Sequence, residues 1–133
     1  MRKSDFLTAC YLSSLVGLLS CGKSNNNACN ISYSNAPVTN VQGPNSGLVN
    51  QDLSLSVLCT CFNSCGRFER IDENSNADTT KIKLIAKYEG CACLDVLTGV
   101  QAIYKFRATR VGTYYLKFWQ GENSFLTDTI TIR

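Results

Sequence analysis

Short segments in which apolar and polar residues alternate fill the chain from residue 31 onward, and this alternation is the feature that most constrains its fold. Between Leu53 and Cys61 every second residue is apolar, and serine or threonine holds most of the positions between them. Successive side chains of a strand point to opposite faces, so such a segment is typical of a half-buried β-strand. Further strands are predicted over 31–41, 66–71, 82–88, 104–108, 114–118 and 126–132.

Turn-forming residues separate these segments, and no long helical pattern occurs among them. The dense turn signal at 43–47 and the polar loop predicted over 72–78 are two examples. About seven strands in roughly 105 residues indicate one all-β domain, a sandwich rather than a large barrel. The segment 90–99 is expected to form a loop or a short edge strand.

The run 108–116 resembles the tyrosine corner of immunoglobulin-like domains, in which a tyrosine opening the penultimate strand hydrogen-bonds back across the corner. Tyr114 matches that tyrosine. Leu116 stands where antibody domains carry their second inter-sheet cysteine, so that disulfide is not expected here. The resemblance implies an immunoglobulin-like antiparallel β-sandwich over residues 30–133.

The first twenty residues are typical of a secretory signal peptide, with Arg2 and Lys3 ahead of an apolar stretch at 6–19. That stretch, about 14 residues, is too short for a membrane-spanning helix of roughly 20. The run Leu18-Leu19-Ser20-Cys21 resembles the processing box of bacterial lipoproteins. The resemblance implies a signal peptide at 1–20, cleavage before Cys21, lipid on Cys21, and a lipidated tether at 21–29.

The residues after Cys21 bear on which membrane the lipid would enter. By analogy with enterobacterial lipoproteins, Gly22 favours the outer membrane, and the lack of acidic residues at 23–25 slightly favours the periplasmic face over the cell surface. The whole chain resembles small bacterial lipoproteins of uncharacterised function with one immunoglobulin-like domain. That resemblance implies no activity.

Eight cysteines occur in the chain, of which Cys10 lies in the predicted signal peptide. An even set remains after Cys21, and in an exported domain it predicts one to three disulfides of open connectivity. The disulfide candidates are Cys29, Cys59, Cys61, Cys65, Cys91 and Cys93.

A metal site is the alternative for the cysteines. The two C-x-C pairs and Cys65 could converge at one end of the sandwich and bind copper or zinc as thiolates through Cys59, Cys61, Cys65, Cys91 and Cys93. The absence of histidine and an oxidising compartment favour disulfides, so neither a metal nor another cofactor is expected. C-x-C spacing also differs from the C-x-x-C of thioredoxin-like redox proteins.

Composition argues against catalysis and against nucleic-acid binding. A chain with no histidine cannot build a Ser-His-Asp or Cys-His arrangement. Asp72, Glu73 and Asp78 are the acidic residues of the predicted polar loop, and a solvated turn accounts for them better than paired catalytic carboxylates or a calcium site. A net charge of +3 gives no basic footprint for nucleic acid.

Tyr115, Lys117 and Trp119 alternate with the predicted inward-facing residues of the penultimate strand, so they are expected on its outer face. An exposed aromatic row could contact a glycan or an envelope protein, although ordinary strand propensity also explains it. The sequence therefore predicts a membrane-anchored, non-enzymatic binding or structural module of the cell envelope. A thiolate metal-binding lipoprotein and a carbohydrate-binding or adhesion module are the alternatives.

Overall fold

The computed structural model describes residues 29–133, and these residues form two β-sheets. The described part of the chain contains nine strands and no helix, and so no helix that could cross a membrane. The strands are β1 (Ile31–Ala36), β2 (Val38–Gln42), β3 (Ser46–Gly47), β4 (Leu53–Cys61), β5 (Gly66–Asn76), β6 (Thr79–Glu89), β7 (Thr98–Phe106), β8 (Gly112–Gly121) and β9 (Ser124–Ile132).

The larger sheet has the order β1-β6-β8-β9-β3, and β5 pairs with β6 outside this path. The smaller sheet has the order β2-β4-β7. Strand β5 lies along almost the whole of one edge of β6, while β1 and β8 share the other edge in succession. The all-β sandwich predicted from the alternating segments is confirmed.

Strand β4 shows how the alternation becomes a core. Its five odd-numbered residues, from Leu53 to Cys61, are all buried, whereas the residues between them are exposed or half-buried. Opposite them, Ile82 and Leu84 of β6 are fully buried. The rings of Tyr104 in β7 and Phe118 in β8 meet edge to face at 5.7 Å and so join the two sheets. Burial of each large apolar side chain contributes roughly 1.5–3 kcal/mol.

The predicted tyrosine corner is present at the start of β8. The hydroxyl of Tyr114 donates a hydrogen bond to the backbone carbonyl of Arg110 at 3.0 Å. The Tyr114 ring also packs against Phe106 at a centroid distance of 5.4 Å. Leu116, at the position of the antibody cysteine, is fully buried.

The arrangement differs from the prediction in strand number and in strand direction. Residues 31–41 form two strands in different sheets, because Pro37 lacks the N–H that a continuing ladder needs. The β3–β9 and β6–β8 pairs are parallel, so the sandwich is not wholly antiparallel. A parallel pair requires a long connection, and β7 in the opposite sheet supplies it between β6 and β8.

The polar loop predicted over 72–78 is mostly strand. β5 continues to Asn76, and only Ala77 and Asp78 form the turn before β6. Residues such as Asp, Asn and Glu are weak strand formers, but ladder pairing with β6 outweighs that preference. The side-chain hydroxyls of Ser75 and Thr80 add a cross-strand hydrogen bond of 2.9 Å.

Candidate functional site at the cysteine-bearing end

Two disulfides lie at one end of the sandwich, Cys29–Cys91 and Cys65–Cys93, with Cα–Cα distances of 4.7 and 5.4 Å. Cys91 and Cys93 both belong to the loop 90–97 between β6 and β7. That loop is therefore bonded both to the residue that begins the described chain and to the loop between β4 and β5. The presence of disulfides agrees with the prediction of one to three.

Hydrogen bonds join the same two loops, 62–65 and 90–97, which we call the cysteine-end loops. The backbone N–H of Ser64 donates to the carbonyl of Leu94 at 3.0 Å, and the N–H of Leu94 donates to the Ser64 hydroxyl at 2.8 Å. The hydroxyl of Thr98 donates to the carbonyl of Asn63 at 2.8 Å. A Cβ atom on Gly90 would lie only 2.5 Å from the sulfur of Cys65, so the Cys65–Cys93 disulfide packs closely on the glycine backbone. The two loops thus form one cross-linked unit.

Four apolar side chains on the cysteine-end loops are exposed to solvent: Phe62, Leu94, Val96 and Leu97. The ring of Phe62 stacks beside that of Tyr88, with centroids 6.5 Å apart.

Charged residues occur on the adjoining strands, where Glu89 forms ion pairs with both Arg67 and Lys87. The hydrogen bond and charge attraction between Lys87 and Glu89 lower the pKa of Glu89 and raise that of Lys87.

Cys59 and Cys61 were predicted as disulfide candidates, but in the structure both are reduced and buried in the core. They are two residues apart on one strand, where the Cα–Cα distance is about 6.7 Å and the Cβ vectors run parallel, an unfavourable geometry for a disulfide. The other four described cysteines are already paired. The two thiols therefore act as core side chains in this structure.

The surroundings of the two thiols favour their neutral form. Burial, with a smaller contribution from neighbouring Cys61, raises the pKa of Cys59 from 9.0 to about 11. Its Sγ lies 3.4 Å from the carbonyl of Val100, to which the thiol donates. Burial also raises the pKa of Cys61, and a hydrogen bond with Tyr88 partly opposes that shift. Neutral, buried thiols are poor nucleophiles and poor metal ligands.

The five cysteines of the metal interpretation do not converge as thiolates. Cys65, Cys91 and Cys93 are oxidised, and within residues 29–133 no group of three or more histidine, cysteine or acidic side chains could hold a metal ion. The predicted lipid site, Cys21, lies outside the described residues.

The outer face of β8 carries the predicted aromatic row. Tyr115 is exposed, and Lys117 and Trp119 are half-buried, while the residues between them face the core. Trp119 lies opposite Phe125 in β9, and the ammonium group of Lys81 lies 5.8 Å from the Phe125 ring centroid. The structure therefore brings Tyr115, Lys117 and Trp119 together on one strand face.

Asp72 and Glu73, which were assigned to a solvated loop, instead line an open groove on the β5–β6 hairpin, whereas Asp78 lies in the turn of that hairpin. The groove is lined by Asp72, Glu73, Asn74, Asn76, Ala77, Thr79, Lys81 and Lys83. Asp72 pairs with Arg70 at 3.0 Å. The hydroxyl of Tyr104 donates to Glu73 at 2.8 Å, and burial together with this carboxylate raises the pKa of Tyr104. The groove could not be predicted from the sequence pattern, because the groove forms only where β5 continues past residue 71.

Comparison with protein families matches the model of the ORF11 β-sandwich domain to residues 55–132. The chain belongs to this family. Comparison with curated proteins and with solved structures found no significant match. The matched part of the ORF11 β-sandwich domain begins within β4 and ends with β9, so it contains the Cys65–Cys93 disulfide. The Cys29–Cys91 disulfide joins that part to the segment before it.

Proposed function

We propose that this protein is a bacterial lipoprotein whose Cys21 carries the lipid and whose ORF11 β-sandwich domain is a non-enzymatic binding or structural module of the cell envelope. The observation that carries the proposal is the pair of disulfides, since disulfides persist mainly in exported proteins. It agrees with the signal-peptide pattern at 1–20 and the lipoprotein-like box that ends at Cys21.

The position of the first disulfide supports an anchoring role. Cys29 lies eight residues after Cys21, so a fully extended tether would span at most about 29 Å. Because Cys29 is bonded to Cys91, a lipid on Cys21 would hold the domain by its cysteine-bearing end. Attachment to the outer membrane, on the periplasmic face, is the location that Gly22 and the residues at 23–25 favour.

The non-enzymatic part of the proposal is supported by the state of the acidic side chains. The chain has no histidine, Asp72 is paired with Arg70, and Glu73 accepts a hydrogen bond from Tyr104. Both carboxylates are therefore already engaged by neighbouring side chains.

The test is the mass of the protein after expression of the full chain in a bacterium that processes lipoproteins. We expect a chain that begins at Cys21 and carries diacylglycerol and an amide-linked acyl chain. The Cys21→Ser variant is the control and should retain residues 1–20 and carry no lipid. A wild-type protein without acyl chains would overturn the proposal. Fractionation and protease protection in whole cells would then test the outer membrane and its periplasmic face.

A carbohydrate-binding or adhesion role is a second candidate, supported by the outer-face row of Tyr115, Lys117 and Trp119. If this row binds glycans, array binding by the wild type should be lost in Trp119→Ala and retained in Val111→Ala, a change in the turn just before β8. Equal binding by both variants would argue against the row as the site.

A further inference from the structure

The cysteine-end loops expose four large apolar side chains to solvent. Leu94 and Leu97 are 70% and 72% exposed, more than any other large hydrophobic side chain in the described part of the chain. Phe62 and Val96, on the same pair of loops, are 47% and 49% exposed. Apolar residues concentrated at one end of a small domain mark a surface that another phase or molecule covers.

These loops are held in place rather than loosely attached. The Cys65–Cys93 disulfide and the reciprocal hydrogen bonds between Ser64 and Leu94 fix one loop against the other. Since their backbone is already ordered, the loops would lose little conformational entropy when they are covered.

The position of Cys21 in the sequence indicates what covers the cysteine-end loops. Cys29 is bonded to Cys91 within loop 90–97, so the tether from Cys21 reaches the domain at this end. Strand β4 has nine residues, which gives the sandwich a length of about 30 Å. The opposite end, at the β7–β8 turn with Val111, therefore lies about one strand length farther from the tether than the cysteine-end loops do.

We propose that the cysteine-end loops rest on the lipid bilayer that holds Cys21, with Leu94 and Leu97 entering the boundary between headgroups and acyl chains. The inference rests on the proposed function, since it requires lipid on Cys21. Asp95 lies between the two leucines, so a zwitterionic surface suits the loops better than an anionic one.

The experiment places single tryptophans at the two ends of the lipidated full chain. Trp119 is replaced by Phe, and Leu97→Trp or Val111→Trp is added; Val111 is 68% exposed and so matches Leu97 at the far end. Each protein is reconstituted into phosphatidylcholine vesicles with or without brominated acyl chains. Leu94→Trp is a second probe of the cysteine end in case Leu97→Trp disturbs the loop.

We expect brominated lipid to quench Leu97→Trp at least roughly twofold more than Val111→Trp, with blue-shifted emission from the cysteine-end probe. Leu94→Trp should behave as Leu97→Trp does. On a chain whose mass includes the acyl chains, equal quenching at both ends, stronger quenching at Val111→Trp, or none at all would overturn bilayer docking and leave the lipid anchor intact. A mass without acyl chains would overturn the lipid anchor on Cys21. It would also overturn the docking of the cysteine-end loops on the bilayer, which depends on that anchor.

Discussion

Cys59 and Cys61 have the same alternation and spacing as their neighbours in β4, and sequence alone does not distinguish them from the disulfide cysteines. Their chemistry is set by burial. With the pKa of Cys59 raised from 9.0 to about 11, its thiolate fraction at pH 8 falls by about 100-fold. We expect alkylation of the folded protein to be slower by at least about that factor than alkylation of an exposed thiol.

The measurement is intact mass after iodoacetamide treatment at pH 8 without reductant, before and after unfolding. The folded mature protein should take up no label, and the unfolded protein should take up two labels, one for each reduced cysteine between residues 29 and 133. Rapid labelling in the folded state would contradict the buried assignment. More than two labels after unfolding, with bound metal before it, would favour the metal alternative.

The raised pKa of Cys59 also predicts a pH dependence of stability. A thiol that ionises less readily when folded contributes stability that is fully present below pH 9 and is lost as pH rises toward about 11. The free energy of unfolding of the wild type should therefore fall relative to that of Cys59→Ala between pH 9 and 11, by at most about 3 kcal/mol. Urea unfolding of both proteins at several pH values measures the difference. A constant difference would show that Cys59 does not titrate in this way.

Gly66, the first residue of β5, lies where the backbone passes close to the core. A Cβ atom there would overlap the Cβ of Cys61 and lie 2.8 Å from a ring carbon of Tyr88. Gly66→Ala should therefore lower the free energy of unfolding by about 1–3 kcal/mol. Gly99→Ala in β7 is the matched control, because its added Cβ would meet nothing nearer than 3.6 Å. Equal urea midpoints for Gly66→Ala and Gly99→Ala would contradict this difference in packing.

Among the strands, β4 could be predicted to the residue, and β5 only in part. β4 alternates apolar and small polar residues, and its buried face follows directly from that period. The second half of β5 lacks apolar residues, since it lies on the rim of the groove and is ordered by pairing with β6. The tyrosine corner was predictable because its hydrogen bond is local, whereas the groove requires the paired strands and could not be foreseen.

The β5–β6 turn carries a strained residue. Ala77 has a φ of 54°, in the left-handed region that costs a residue with a Cβ roughly 1–2 kcal/mol. Ala77→Gly should therefore raise the free energy of unfolding, by about 0.5–1 kcal/mol after the greater flexibility of glycine in the unfolded chain is counted. Asn123→Gly in the β8–β9 turn, at a φ of 57°, should change stability less, because asparagine tolerates this region. Urea unfolding of both variants tests the ranking, and a larger gain from Asn123→Gly would reverse it.

For the whole molecule, the sequence predicted a sandwich but left the disulfide partners open. Strand alternation defines which face of each segment is buried, yet it says nothing about which loops meet. Cys29 and Cys91 are 62 residues apart, and they meet because β1 pairs with the end of β6. The parallel β6–β8 pair likewise depends on how the sheets assemble.

The two disulfides should stabilise the domain by different structural routes. They close segments of 62 and 28 residues, so removal of either pair by double alanine substitution should cost about 2–4 kcal/mol of unfolding free energy. Loss of Cys65–Cys93 should also release loop 90–97 to protease, because that bond fixes it to loop 62–65. Loss of Cys29–Cys91 should leave that loop protected and instead allow cleavage at residues 29–30, just before β1. Urea unfolding and limited proteolysis with mapped cleavage sites measure both effects. Cleavage in the same place in both variants would show that the disulfides act only on the unfolded chain.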